Sequence, residues 1–550
     1  MIKLSALLTC FVLFAGQELK SQNPEWDWAH SAGENGFDIS RSLTCDESGN
    51  VYACGEYGNG NIEFGSITLN TSASSSMFLT KYDADGNVIW ARTSAGSGSA
   101  SAHCTTTDAL GNIYVAGDFN SLSLEFEDIS LVSSGGQECF IVKYDPDGNV
   151  IWAVKAGGTG NDRIFSIACD NNGNSHVTGV YNSDELNFGD ESITNSNQGG
   201  LNAFVAKYDA DGNAIWALDI GGQEPDWGRD IAVDGDGNIF VFGDHMSESI
   251  TIGTLILTNE TGADTFLAKL DSNGNALWAR KGITTETYAM AVAVDNTGHV
   301  AVSGSFSGTS ITFEDITLNN DGGSGYSEFF VAKYDGNGNL QWAHAEGCSV
   351  QDEARDMAMD EEGNICITGF FNAEPITFGT TTLDNAGGED IFVVSYSPAG
   401  EVTWAISAGS ASSDYGYGIA TSLDGQVYIS GSFTSMDLNF GTSSLDATNA
   451  SWDFYIAKLN PGTSFIESTN TLALSIYPNP MTEKTTVQFP TPLHNATLFI
   501  ENSLGERVLE KNNLTGQVFT LDRNSLAAGM YVVKVMENGR IMARGKVVVE

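Results

Sequence analysis

The chain is short of the residues that carry most enzyme chemistry. Its seven histidines, His30, His103, His176, His245, His299, His344 and His494, form no H-E-x-x-H pair, and no nucleophile elbow or glycine-rich phosphate loop leading into a helix occurs. None of the eight cysteines makes a C-x-x-C pair, which removes the usual zinc spacing. Bases are scarce: 24 Lys and Arg stand against 70 Asp and Glu, a formal charge of −46 that opposes nucleic acid and anionic membrane surfaces as partners. Long apolar runs are missing after the first residues, so no membrane-spanning segment is expected.

What is present is glycine, 62 residues of it in 550, together with many short runs such as "VYV", "FVAK" and "ITF" that favour strands. The opening "MIKLSALLTCFVLFAGQELKSQ" has an early Lys, an apolar stretch and a polar exit, the layout of a cleaved secretory signal over residues 1–22. Cys10 lies inside that stretch with a poor lipoprotein lead-in. Seven cysteines then remain, an odd number, and Cys45 with Cys54 is the one pair worth testing as a bridge.

Three signatures recur seven times each. Trp-Ala falls at Trp28, Trp90, Trp152, Trp216, Trp278, Trp342 and Trp404, at spacings of 62 or 64 residues. A strand, turn and strand of the form "DGDGNIFVFG" precedes a small "ITFG" segment, and an aromatic strand such as "FVAKYD" then turns into "NAIWA". Four main strands per unit, apolar on both faces and repeated in up-and-down order, fit an all-β, seven-bladed β-propeller over residues 23–460. The order at the two ends is informative. The region opens on an unpartnered Trp strand and closes on "DFYIAKLN" with no Trp strand after it, so residues 26–31 are expected to pair with residues 453–459 and close the ring.

The motifs "IAVDGDGNIFVFG" and "FVAKYDADGNAIWALDIGG" resemble the SBBP type of β-propeller repeat, a likeness that specifies fold more than function. A linker over 461–473 leads to a region where charge is balanced, eight bases to seven acids from Leu474 onward, and where alternating segments predict a small β-sandwich over 474–550. There "LSIYPNP", "SLGERV", "LAAGMYVVKV" and a valine-rich end are similar to the type A C-terminal sorting domain of the type IX secretion system. That resemblance implies a Bacteroidetes-like bacterium, export across the outer membrane, contact of residues 474–550 with the secretion machinery, and a secreted or cell-surface product.

Candidate sites are few. In "DADGN" the acids Asp83 and Asp85 have calcium-loop spacing, but Gly86 comes too early and no twelfth-position glutamate follows. Sister copies lose the acids and keep the Gly, as a tight hairpin requires, so no cofactor is implied and calcium is the only one in question. Asp38, Asp162, Asp226, Asp352 and Asp414 recur eight residues before each inner turn and are expected to ring one channel mouth, there either to hold a cation or polar ligand or to cap their own loops. Lys81, Lys143, Lys207, Lys269, Lys333 and Lys458 recur in the third strand and read as partners of neighbouring acids. The leading expectation is a binding or scaffolding module without catalytic activity, facing an extracellular protein or glycan. A polysaccharide hydrolase using mouth carboxylates is the alternative, and a structural surface spacer the third reading.

Overall fold

The computed structural model describes residues 24–461 and 474–549, apart from 35, 47, 59, 198, 260–261, 285, 321, 323–324, 348–349, 361, 373, 449–450, 478, 502–506, 524–525, 527–528 and 538–539. The proposed signal over 1–22 and nearly all of the linker lie outside them. The chain divides into two compact units, residues up to 464 and residues from 465.

The first unit is all β. Seven four-stranded antiparallel sheets follow one another, each built like a propeller blade, and two are extended to six strands by a hairpin of the next unit. We number the sheets 1 to 7 by their inner strands: Asp38–Cys45, Ser99–Thr107, Asp162–Cys169, Asp226–Val233, Thr287–Val294, Asp352–Met359 and Asp414–Thr421. Each inner strand packs against the next, and the seventh packs against the first. The last sheet takes its outer strand from the start of the chain. Glu25–Ala32 pairs antiparallel with Asp453–Asn460, Trp28 opposite Lys458 and Ser31 opposite Tyr455, which is the pairing expected from the order of the signatures.

The sheets are joined at their outer edges by a repeated clasp. In "KYDADGNAIWA" Gly212 sits at φ +86°, a conformation that costs other residues a clash between Cβ and the backbone. A Cβ there would also lie 2.9 Å from the indole of Trp152 in the preceding sheet. The turn thus lies flat on the neighbour's tryptophan. The indole N–H then donates to the carbonyl of Ala210, two residues before the Gly, at 3.0 Å, and Lys143 Nζ donates to the same oxygen at 3.2 Å. The same shared carbonyl occurs at Ala84, Pro146, Ser272 and Gly336, and at Pro398 with Trp342 alone. These lysines are not surface partners. Lys143, Lys207 and Lys269 lie 3.4 to 3.5 Å from Asp108, Asp170 and Asp234, with both members of each pair almost wholly covered by the next sheet's turn.

Each "ITFG" segment is a hairpin that belongs to the seam rather than to its own sheet. Ile220 and Gly221 of sheet 3 pair with Ile252 and Thr251 of the following hairpin, and Gly282 and Ile283 of sheet 4 do the same with Phe313 and Thr312. Phe64, Phe126, Phe188, Phe313, Phe378 and Phe440 of these hairpins are buried against the sheets.

The second unit is one five-stranded antiparallel sheet. Its long strands Lys484–Glu501 and Arg507–Asp522 change register four times along their pairing. Residues from both ends of these strands, Val487, Phe489, Leu498 and Leu521, share one core with Val533, Val535 and Val547. Among the described residues no helix is long and apolar enough to cross a membrane.

The cysteines do not form the tested bridge. Cys45 pairs with Val51 and Cys54 with Ser42, three rungs apart on adjacent strands, and both thiols are free. Cys10 and Cys348 lie outside the described residues.

The clasp sets up a comparison between two glycines of like backbone. Gly212→Ala meets both the backbone penalty and the Trp152 ring, whereas Gly425→Ala, at φ +80° with nothing within 4 Å, meets the backbone penalty alone. Urea unfolding should show Gly425→Ala costing about 1–2 kcal/mol and Gly212→Ala at least about 1 kcal/mol more. Equal losses would mean that the turn does not bear on the tryptophan.

Candidate functional site

The five repeated aspartates stand where the sequence spacing puts them, each as the first residue of its sheet's inner strand, but Asp38, Asp162, Asp226, Asp352 and Asp414 are all fully buried. Their carboxylates hold loops. Asp162 accepts from Gly158 N at 3.0 Å, from Ser183 N at 3.2 Å and from Ser183 Oγ at 2.7 Å. Asp226 repeats this with Gly222 N, Ser247 N and Ser247 Oγ, and Asp414 takes Ser410 Oγ and Ser435 Oγ. Their backbones tie sheets together as well: Asp38, Asp162, Asp226 and Asp352 each donate N–H to a carbonyl of the preceding sheet, that of Trp452, Gln137, Leu201 and Ser327. The five stand at equivalent places and all are buried; Asp38 accepts from Glu34 N through Oδ2, and its Oδ1 is buried without a partner.

The acidic hairpin is likewise occupied. Asp83 Oδ1 accepts from the backbone N–H of Asp85 at 3.0 Å and of Asn87 at 2.8 Å, and Oδ2 from the Asn87 amide at 2.9 Å. Burial is the largest single influence on Asp83 and raises it, but the Asn87 and Asp85 donors together outweigh it and hold the carboxyl below its ordinary value.

Three residues further along the inner strands lies a feature the spacing analysis passed over. Every inner strand except the second carries a register shift three residues after its first position, and the second shifts at His103. A bulge leaves one backbone N–H out of the ladder. Two residues beyond the bulge, an N–H of the inner strand finds an acceptor on the preceding sheet: Ser42 Oγ takes Thr105 N at 3.3 Å, Ser166 Oγ takes Ile231 N at 3.4 Å, Asp230 Oδ2 takes Val292 N at 2.6 Å and Asp356 Oδ2 takes Ile419 N at 2.8 Å.

The bulged residue itself keeps some solvent exposure in every sheet. It is Arg41, Arg229 or Arg355 in three sheets, Phe165 or Tyr417 in two, and His103 or Met290 in the others. These side chains touch from sheet to sheet. His103 and Phe165 lie 6.4 Å apart by ring centroid, Arg229 lies 5.7 Å over Phe165, and Arg355 lies 5.8 Å over Tyr417. Two residues before them stands a second tier with Arg163, Trp227, Tyr288 and Tyr415. Arg229 lies 5.3 Å over Trp227, Tyr415 stacks on Tyr417 at 5.8 Å, and Trp452 lies 5.3 Å from Tyr415.

Four of the six arginines in residues 24–461 therefore stand in these two tiers. The sequence carried that signal, at three positions after the first Asp in Arg41, Arg229 and Arg355 and one after it in Arg163, but the chemistry changes from copy to copy and makes no motif.

Several buried acids nearby have shifted. Burial pushes Asp38 up to about 7, against the Glu34 N–H and with help from Asp453; burial likewise takes Asp414 to about 7 and Asp226 to about 6. Asp356 reaches about 8, through burial and then the charge of Asp230. All four bind a proton more readily folded than unfolded, so the stability they contribute is complete below the ordinary carboxylate range and is lost as pH rises through 6 to 8. The turn residues Asp83, Asp145, Asp209, Asp271 and Asp335 are lowered and act in the opposite sense, losing their contribution as pH falls below about 4. Melting temperature should accordingly rise between about pH 8.5 and about pH 5 and fall again below about pH 4. A maximum at or above pH 8 in scanning calorimetry would contradict this.

Comparison with known proteins agrees with both units. Residues 215–244 match the family model described as a β-propeller repeat, of the SBBP type, and residues 475–550 match that of the secretion system C-terminal sorting domain. The chain is 24% identical over 532 residues to an uncharacterized WD repeat-containing protein of Acanthamoeba polyphaga mimivirus, covering 78% of this chain and 38% of that one. It is 31% identical over 140 residues to the regulatory protein FlaEY of Caulobacter vibrioides, covering 25% and 14%. The chain thus spans well under half the length of these relatives. Among solved structures, Sqt1 of Chaetomium thermophilum is similar at a TM-score of 0.39 and 10% identity, over 74% of this chain and 97% of that one. The chain carries SBBP-type β-propeller repeats and a type IX secretion system C-terminal sorting domain, and is a protein of the cell surface or the secreted fraction.

Proposed function

We propose that the seven sheets form one closed seven-bladed propeller, that the second unit folds over its core as a small sandwich engaging the secretion machinery, and that the exported propeller is a non-catalytic binding module. The observation that carries the reading is the aromatic and cationic lining of one channel mouth. Tyr288 is 47% exposed, a large exposed aromatic in a chain whose other tyrosines mostly lie in the core. Beside it, Trp227, Tyr415, Tyr417 and Trp452 remain partly accessible. Concave surfaces with aromatic faces and fixed polar groups are what ligands use.

The hydrolase reading needs two carboxylates flanking an open cleft. The acid pairs that sense one another here are Asp38 with Asp453 and Asp414 with Asp390, all at most 1% exposed, and Asp356 with Asp230, partly exposed, whose carboxylates are taken up by Ser166 Oγ and by the backbone N–H groups of Ile231, Val292, Met357 and Ile419. That favours binding over hydrolysis.

The test is a glycan array and an extracellular-protein capture assay with the purified full chain, with and without calcium, beside an assay for reducing ends released from the glycans that bind. Binding without release of reducing ends, unchanged by calcium, is the expected result. Turnover of a bound glycan would establish the hydrolase, and no binding in either assay would leave the spacer.

A further inference from the structure

Resting on the binding reading above, we infer that the tiered mouth takes an acidic glycan, one whose sugar rings bear carboxylates. Charge placement is the first ground. The chain carries −46 overall, yet at this mouth the arginines face outward and their acids lie beneath. The side chains of Arg41, Arg163, Arg229 and Arg355 are 37, 49, 28 and 31% exposed, while their partners Glu56, Asp118, Asp244 and Glu353 are 14, 7, 3 and 13% exposed. At these positions the guanidinium groups are more accessible than the acids that pin them.

The second ground is geometry. Each arginine is pinned through one edge only. Arg41 uses Nη2 on Glu56 at 2.6 Å, Arg229 uses Nε on Asp244 at 2.7 Å, and Arg163 uses Nε on Gln137 at 2.9 Å. Arg355 uses Nη2 on Glu353 at 2.7 Å, and its Nε is buried without an acceptor. Pinning fixes the planes and leaves donors for an incoming acceptor, and a planar fork of donors matches a carboxylate. Ordering has been met in the free protein, so little side-chain entropy is lost on binding.

The third ground separates a glycan from an acidic peptide. Trp227 and Tyr288 stand at equivalent places in adjacent sheets, and Tyr415 with Trp452 forms a second aromatic face beyond Glu353. Aromatic faces alternating with fixed guanidinium groups suit flat, repeating rings that carry one charge each. A peptide would instead ask for a run of unpaired backbone donors and acceptors, and along the inner strands that run is interrupted where Val292 N and Ile419 N already donate to the preceding sheet.

Titration calorimetry with the full chain tests this, using oligogalacturonate, its neutral methyl ester, a sulfated oligosaccharide of equal length and a poly-glutamate peptide. Oligogalacturonate should bind best, and Arg163→Gln and Tyr288→Ala should each weaken it about tenfold, the loss of one charge-assisted contact or one stacking face. Both side chains are about half exposed, so the variants should keep the parent melting temperature. Tyr288→Phe should bind as the parent does. Raising salt from about 0.05 M to about 0.5 M should weaken binding further. Tighter binding of the methyl ester overturns the charge assignment while leaving a glycan-binding propeller. Preference for the sulfated chain overturns the carboxylate, and preference for the peptide overturns the glycan. Affinity for oligogalacturonate unchanged in both variants moves the site away from this mouth.

Discussion

The ring depends on a carbonyl oxygen offered by one sheet and taken by the sheet before it. In five seams an indole N–H and a lysine ammonium converge on that oxygen, and the glycine two residues later lets the turn lie against the indole. The three contacts need one another. Without the glycine the turn would stand off the ring, and the lysine, which in three seams is paired with a buried aspartate, would there lose its second acceptor in a place that water does not reach. Sheets that are apolar on both faces would slide over one another if only burial held them, because burial has no direction. The clasp gives each seam its registration, and the hairpins and bulges complete it at other radii.

The repeat therefore carries its information mostly at the seams. At the outer edge the tryptophan and the glycine are separated in sequence by about a whole unit, 58 residues between Trp152 and Ala210. Beside the bulges, backbone N–H groups of the inner strands donate to side chains of the preceding sheet. A unit so built cannot satisfy its own polar groups alone, which is why the last sheet must borrow Glu25–Ala32 from the beginning of the chain. Trp28 then reaches Ala84 in sheet 1, so the borrowed strand makes the same clasp as any other.

Much of this was legible in the sequence. The order of the signatures at the two ends announced the pairing of residues 26–31 with residues 453–459, because an unpartnered fourth strand at the start and a missing one at the end leave a single way to fill the sheet. The glycine of the turn was legible from copies that lose their acids and keep it. The partner of the "ITFG" hairpin was not, since its pairing at Ile252 and Phe313 lies in the preceding sheet and nothing local marks it. The fivefold aspartate was found by its spacing, but spacing cannot tell a carboxylate facing a channel from one turned back on its loop. The residues that decided it were Ser183, Ser247 and Ser435, some 21 residues onward.

The mouth residues were hidden for a different reason. A bulge is a backbone event, and any side chain can occupy it when that side chain points into open space. Positions under packing constraint repeat, as Trp and Gly do here, whereas Arg41, His103, Phe165, Arg229, Met290, Arg355 and Tyr417 are free to differ. Variation among copies at one structural position thus marks the surface that neighbouring sheets do not dictate. Since the clasp, the hairpins and the loop-capping aspartates already account for the repeated residues, the part of the first unit left for the proposed binding role is the part that does not repeat. In a chain so poor in bases, placing four of six arginines of the first unit there, each backed by a hidden acid, is a cost in desolvation that the fold itself does not require.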